Sequence, residues 1–545
     1  MRSTMQDIPL TIAMVMRHGT TVHGDSEVVT ATADGVRSRS YAELGLRAAQ
    51  LANALRGLGI DGDQRVATFQ WNNAEHLEAY LAVPSMGAVL HTLNIRLAAD
   101  QLVFIANHAD DQVVIVDDSL VPLFTPLLPS LTTVRHVLVA GPDAASVDLA
   151  PLRATGTDVG LYEDALAGQP TTFDWPELDE RDAAAMCYTS GTTGNPKGVV
   201  YSHRSAYLHS MAVCMGTNAG LSWDDRILPV VPMFHANAWG LPYAALMAGA
   251  SLVMPDRWLQ AEPLVRFMTA ARPTISGGVP TVWNDVLGYL DTHPTDLSFL
   301  RLVLCGGSAV PISLQKALRE RHGLDMVQAW GMTETSPVAS TARPPTGASG
   351  DELWHYKGTA GRPLPGVQAR IMGDHGPLPN DGEAVGELEV RGPWVTAEYY
   401  KDDDPARFDD GWLRTGDVGT LDPLSYITLT DRAKDVIKSG GEWISSVELE
   451  GALMAHPDVV EAAVVAIPDE KWQERPLATV VLREGARTTP EQLREHLAGQ
   501  FPSWQLPDAW SFIEAVPRTS VGKFDKKVIR RQFGEGELTV LRVEH

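Results

Sequence analysis

Tyr188-Thr189-Ser190-Gly191-Thr192-Thr193-Gly194-Asn195-Pro196-Lys197-Gly198 concentrates more chemistry than any other stretch of the chain. Two glycines and four Ser/Thr hydroxyls precede a single lysine, and a third glycine follows it. Such a loop brings backbone N–H groups and hydroxyls against phosphate oxygens, while Lys197 adds a positive point charge. The spacing is not that of a Walker loop, which joins Gly-Lys-Ser/Thr directly to a helix. Here Lys197 lies between Pro196 and Gly198. An apolar strand (Ala183 to Tyr188) precedes the loop and a second (Val199-Val200-Tyr201) follows it. Only then does Ser202 offer an N-cap for a helix.

Outward from the loop, short apolar runs alternate with amphipathic stretches. Tyr41 to Leu58 has helical spacing, with Leu44, Ala48, Leu51, Leu55 and Leu58 on one face. Arg65 to Phe69 reads as a strand and Glu75 to Val83 as a helix. Gln112 to Val116 and His136 to Val139 are further strands. This alternation predicts an α/β fold with parallel or mixed sheets flanked by helices. The texture changes near residue 400, where Lys401-Asp402-Asp403-Asp404-Pro405 reads as a solvated turn. A strand (Tyr426 to Leu429), the charged run Asp431 to Asp435, a helix (Ser446 to Met454), a strand (Ala462 to Ile467) and a helix from Thr489 to Ala498 follow. The expected division is a large domain over 1–433 and a small α+β domain over 434–545.

Composition narrows the function. Lys and Arg total 44 against 68 Asp and Glu, a formal charge of −24. That excludes a general nucleic-acid binder, which needs a basic face, and adsorption to anionic membranes, save for a local peripheral contact. The 545 residues, 44% hydrophobic and 21% charged, suit a soluble globular protein. Cys187, Cys214 and Cys305 are too dispersed for a metal cluster and odd in number, which fits a reducing cytoplasm. Ile8 to Met16 is apolar but lacks a cleavage site, so no signal peptide is expected. Ala236 to Pro255 carries no charge, yet Gly240, Pro242 and Gly249 interrupt it. It reads as a buried helix–turn–strand rather than a membrane span.

Further motifs follow in order. Pro232 to Gly240 holds His235 and Trp239. Gly277-Gly278-Val279-Pro280-Thr281 and Cys305-Gly306-Gly307-Ser308-Ala309 end apolar runs in small residues, which let a ligand approach the backbone. In Gln328-Ala329-Trp330-Gly331-Met332-Thr333-Glu334-Thr335, Trp330 offers a flat face for a purine. Thr333 offers a hydroxyl for a phosphate, and Glu334 a hard oxygen for Mg²⁺. Thr415-Gly416-Asp417, Asp431-Arg432 and the basic stretch Pro517 to Lys526 complete the set.

Loop and motifs, in this order, resemble the adenylate-forming superfamily: acyl-CoA synthetases, adenylation domains and firefly-type luciferases. The Asn-Ala-Trp context of Trp239 is most similar to medium- and long-chain fatty-acyl-CoA synthetases. The resemblance implies a nucleotide site of Thr189, Ser190, Gly191, Thr192, Thr193, Gly194, Lys197, Gly307, Ser308, Ala309, Gln328, Ala329, Trp330, Gly331 and Thr333. Asp417 and Arg432 would take the ribose, and Thr189 and Glu334 the metal. His235, Trp239, Val279 and Gly306 would border the acyl group, with Trp239 as a gate. Lys523 would bridge the substrate carboxylate and the α-phosphate. Lys434 would be the pivot of a mobile small domain that carries Lys438, Gly440, Gly441 and Trp443 toward the adenylate or pantetheine.

The activity implied is ATP-dependent fatty acid:CoA ligation through an acyl-adenylate, with ATP, Mg²⁺ and coenzyme A. Pairing through the large domain, common among relatives, would make a homodimer. Other readings are a CoA ligase for a short-chain, aryl or 3-methylmercaptopropionate acid, a fatty-acyl-AMP ligase, a luciferase-like oxidase, and a nucleotide-binding scaffold without catalysis. Because ATP, fatty acid and CoA are all anions, a protein of charge −24 must gather its cations locally.

Overall fold

The computed structural model describes the chain except residues 2, 190–194, 433–434, 436, 440–441, 470, 520–522 and 544–545. At 432, 438, 442 and 443 it describes the backbone alone. Among the described residues the strands form four sheets.

A seven-stranded sheet contains Arg65–Phe69, Val89–Thr92, Asp111–Asp117, His136–Ala140 and Ala183–Tyr188, all parallel. Its edge strand Gly198–Ser202 runs antiparallel to Ala183–Tyr188. A nine-stranded sheet carries Arg226–Pro229, Ile275–Gly278, Leu302–Gly306 and Met326–Gly331 as parallel neighbours. Helices Ile12–Val22, Tyr41–Gly57, Ala74–Ser85 and Leu241–Ala248 contribute to the largest core, which joins Val66 and Leu90 of one sheet to Ile227 and Leu302 of the other. Parallel strands covered on both faces read as near-continuous apolar runs, as Gln112 to Val116 does.

The helix Tyr41–Gly57 buries Leu44, Ala48, Leu51 and Leu55, the face its periodicity marks. Ser202 caps the helix His203–Cys214, its hydroxyl accepting the Ser205 N–H at 3.0 Å. The uncharged stretch after Ala236 is a short helix (Leu241–Ala248) and a strand (Ser251–Met254) preceded by a left-handed turn. No helix among the described residues is long and apolar enough to cross a membrane.

A six-stranded antiparallel sheet follows, from Gln368–Gly373 to Ile427–Arg432. The last sheet is built wholly from residue 437 onward, with Val459–Asp469 and Gln473–Leu482 as its long hairpin. Together these make a large domain of mixed sheets and a smaller α+β domain with its own core around Ile437, Leu449, Val464 and Trp510.

Candidate active site

Four neighbouring parallel strands end side by side at Pro229, Gly278, Gly306 and Gly331. In open α/β sheets, the crevice outside the carboxyl ends of the strands is where ligands bind. Two of these glycines are dictated by packing. A Cβ on Gly331 would lie 1.8 Å from the Pro337 carbonyl oxygen, and one on Gly306 2.4 Å from that of Ala329. No side chain fits where backbone approaches backbone so closely.

The nucleotide-side motifs converge here. Trp330 Nε1 donates to Asp417 Oδ2 at 2.9 Å, joining the candidate purine platform to the candidate ribose carboxylate. Asp417 is buried, and the Thr415 hydroxyl accepts its N–H at 3.0 Å. Arg432 pairs with it across the ladder at backbone level. The Thr333 carbonyl accepts the Tyr201 hydroxyl at 2.7 Å. Glu334 is 5% exposed, and its Oε1 accepts the Tyr399 hydroxyl at 2.7 Å. The Gln328 amide is turned inward: Oε1 accepts the Val310 N–H at 2.7 Å and Nε2 donates to the Thr359 carbonyl at 2.8 Å. It thus pins the end of the Gly307-Ser308-Ala309 turn to the strand that bears Trp330, while Ala329 pairs with Gly306 in the ladder.

The phosphate-type loop is closed at its base, where the Thr189 N–H donates to the Lys197 carbonyl (2.9 Å) and the Thr189 hydroxyl accepts the Lys197 N–H (3.0 Å). Ser190, Gly191, Thr192, Thr193 and Gly194 lie outside the described residues, as does Lys434. The Lys197 ammonium lies 2.5 Å from Asp404 and 3.5 Å from Asp402, over the Tyr399 ring. Burial works against its charge, but the two carboxylates outweigh burial and hold its pKa above the usual lysine value. The turn read from the sequence as solvated therefore has a partner, and its acids face the loop.

The acyl-side candidates also meet. Gly277 and Gly306 flank the Trp239 indole: Cβ atoms on them would lie 3.9 and 3.4 Å from its ring. Trp239 closes a turn in which Ala236, Asn237, Ala238 and Trp239 all have φ between 44° and 59°. The left-handed region costs L-residues roughly 1–2 kcal/mol each, so surrounding contacts must impose this turn. One is Cys187 Sγ, 3.0 Å from Asn237 Oδ1. Val279 Cγ1 would be 3.3 Å from a Cβ on Gly307, and the small domain's Lys523 Cε 4.0 Å from the same point. His235 is held neutral, its pKa pushed down to about 4 by burial and then by the positive charges of Lys523 and Arg96. Lys523 thus reaches the mouth formed by His235, Val279 and Gly307. Lys438 and Trp443 face each other across a hairpin at backbone level.

Tyr201, Tyr399, Asp404 and Arg96 did not emerge from the sequence. Tyr201 reads only as part of a strand and Asp404 as part of a solvated turn, Tyr399 and Arg96 lie outside every motif, and only the fold brings all four to the site.

The model of the AMP-binding enzyme family matches residues 17–400, and that of the AMP-binding enzyme C-terminal domain matches residues 448–523. The chain is 46% identical to the long-chain-fatty-acid–CoA ligase of Thermus thermophilus, over 97% of each chain. It is 43% identical to the 3-methylmercaptopropionyl-CoA ligase of Ruegeria pomeroyi, over 96% of this chain and 97% of that one. The crystal structure of the anthranilate CoA ligase AuaEII in complex with anthranoyl-AMP superposes with a TM-score of 0.87 at 25% identity, covering 98% of this chain and all of that one. With both family models matched in order, and with relatives this close over nearly their whole length, the chain belongs to the AMP-binding enzyme family.

Proposed function

We propose that this AMP-forming acid–thiol ligase activates medium- to long-chain fatty acids, and that it does so in two steps served by two poses of the small domain. In the first step a carboxylate oxygen attacks the α-phosphorus of ATP, and the bond to pyrophosphate breaks. An anion must approach a polyanion, so fixed positive charge is the main requirement. Lys523 would neutralise the carboxylate and α-phosphate at the mouth, and Lys197 the leaving phosphates once it exchanges Asp404 for them. Trp330 would stack on adenine, while Asp417 and Arg432 take the ribose.

Mg²⁺ suits this donor set. Tyr399 occupies Glu334 Oε1, leaving Oε2 for a metal. Among the described residues no cluster of three or more His, Cys, Asp or Glu competes for one. One carboxylate plus phosphate oxygens and water is a common environment for this ion. When bound it would withdraw charge from the phosphates. The Thr189 hydroxyl, already an acceptor of the Lys197 N–H, would contribute a remaining lone pair.

In the second step the CoA thiol attacks the acyl carbonyl carbon, the bond to AMP breaks, and Lys523 must vacate the space. A rotation about Lys434, between the domains 1–433 and 434–545, would withdraw it and bring in Lys438 and Trp443. The observation that carries this reading is Lys523 at the Gly307 mouth, reached from a separately folded domain. Lys523→Ala should slow fatty-acid-dependent ATP–pyrophosphate exchange by about 10²–10³, while thioester formation from supplied acyl-AMP persists.

A shorter acid such as 3-methylmercaptopropionate is the second reading, favoured by the Trp239 indole lying across Gly277 and Gly306, where a long tail would pass. CoA-dependent AMP release measured with acids from C4 to C18 and with 3-methylmercaptopropionate decides between them. A homodimer, the remaining expectation, is tested by sedimentation.

A further inference from the structure

The segment joining the two domains is fastened by buried charge. Asp431 lies on the strand Ile427–Arg432, where its pairing with Val418 fixes it to the large domain's antiparallel sheet. It is 5% exposed. Its Oδ2 accepts the Ser446 N–H at 2.9 Å and also the Ser446 hydroxyl. Beside it, the Ser445 hydroxyl donates to the Thr430 carbonyl. Ser446 opens the helix Ser446–Met454 of the small domain. A carboxylate of one domain thus helps cap a helix of the other, accepting one N–H that a helix start leaves orphaned.

The contact continues into the loop that carries Lys523. Lys526 opens the helix Lys526–Gly534 directly after that loop. Its ammonium donates to the Ser446 hydroxyl and pairs with Glu450 at 2.7 Å, with side chains 11% and 9% exposed. The loop itself is braced, with Thr519 donating to the Lys523 carbonyl and Asp525 to the Pro517 carbonyl, each at 2.7 Å. Arg530, one turn along the helix, pairs with Asp435 at 2.5 Å. Contacts therefore run from Asp431 through Ser446 to Lys526, which follows Lys523 by three residues of chain.

These contacts differ in what a rotation about residues 433–434 would do to them. Glu450–Lys526 and Asp435–Arg530 both lie on the small-domain side and would travel together. Asp431–Ser446 crosses the pivot and would break. Parting a buried charge from its donors is costly, so this contact favours the pose in which it is made.

We propose that Asp431, Ser446 and Lys526 form a latch that holds the small domain in the pose presenting Lys523 to Gly307, and that the latch opens before the thioester is made. The inference rests on the two-pose reading above, and three full-length variants separate the two. Lys523→Ala is the control: if it slows both half-reactions equally, the two-pose reading fails and the latch with it. Ser446→Ala removes only the hydroxyl shared by Asp431 and Lys526. It should slow ATP–pyrophosphate exchange by about ten- to a hundredfold, the scale of a lost hydrogen bond to charged groups. Thioester formation from supplied acyl-AMP should stay at the wild-type rate or rise. Ser446→Thr, which keeps the hydroxyl, should restore exchange. If Lys523→Ala separates the half-reactions but Ser446→Ala changes neither, or slows both alike, the latch is refuted and the two-pose reading survives. A merely structural role for Ser446 would lower the melting temperature without changing the ratio of the two rates.

Discussion

The nucleotide side and the acyl side of this site stand on the same row of strand ends but are held in different ways. On the nucleotide side, Trp330, Asp417, Thr333 and Glu334 lie within regular strands or a short turn, and each is fixed by a hydrogen bond of 2.7–3.0 Å. On the acyl side, Trp239 has no such anchor among the described residues. Its ring rests between two glycines, and its backbone occupies a left-handed turn against local preference. The difference suits the two tasks. ATP is one fixed shape and rewards preorganised donors and acceptors. An alkyl tail offers only area and length, and is recognised by volume and by what can move aside.

Variants test that contrast most sharply at Glu334. Glu334→Gln should lower kcat about 10²-fold for every acid while leaving the order of preference among acids unchanged. A change in that order would mean the two sides are not separable. Trp239→Ala should do the converse. It should shift kcat/KM toward longer acids by about tenfold, the scale of methylene discrimination in an apolar pocket, with KM for ATP unaltered.

His235 at the border sharpens the comparison through pH. Its folded-state pKa of about 4 lies below the ordinary 6.5, so folding favours the neutral ring. That contribution to stability is present above about pH 6.5 and is lost as pH falls toward 4. The imidazole carbon shifts in the intact protein should stay near neutral values down to about pH 5, with a midpoint near 4. In Lys523→Ala the midpoint should rise, since one of the charges depressing it is gone.

The smallest effect belongs to Asp404. Asp404→Asn should lower KM for ATP a few-fold by releasing Lys197. It should cost no more than about 1 kcal/mol of stability, because both partners are about a third exposed and water screens the pair.

Much of the platform was legible because its residues are contiguous. Gln328 to Thr335 is one strand and its turn, so the candidate nucleotide residues Trp330, Thr333 and Glu334 lie within a single motif. The strands Arg65–Phe69 and Ala183–Tyr188 were legible for a related reason, since buried parallel strands are apolar throughout. The Trp239 turn was not legible, because nothing in Ala236-Asn237-Ala238 announces positive φ. The role of the acids at 402–404 was hidden in the same way, since a run of aspartates looks solvated until the fold sets Lys197 beside it.

The amino-acid order alone pointed to the ligase class, because the candidate phosphate loop, purine platform, metal carboxylate and terminal lysine are each short and local. Tertiary structure alone decided which charges these groups meet. Tyr399 on Glu334, Asp404 on Lys197, and Asp431 on a helix of the other domain are pairings across 65, 207 and 15 residues of chain. Electrostatic interaction depends on distance in space and on burial, neither of which is written in the spacing of residues along the chain.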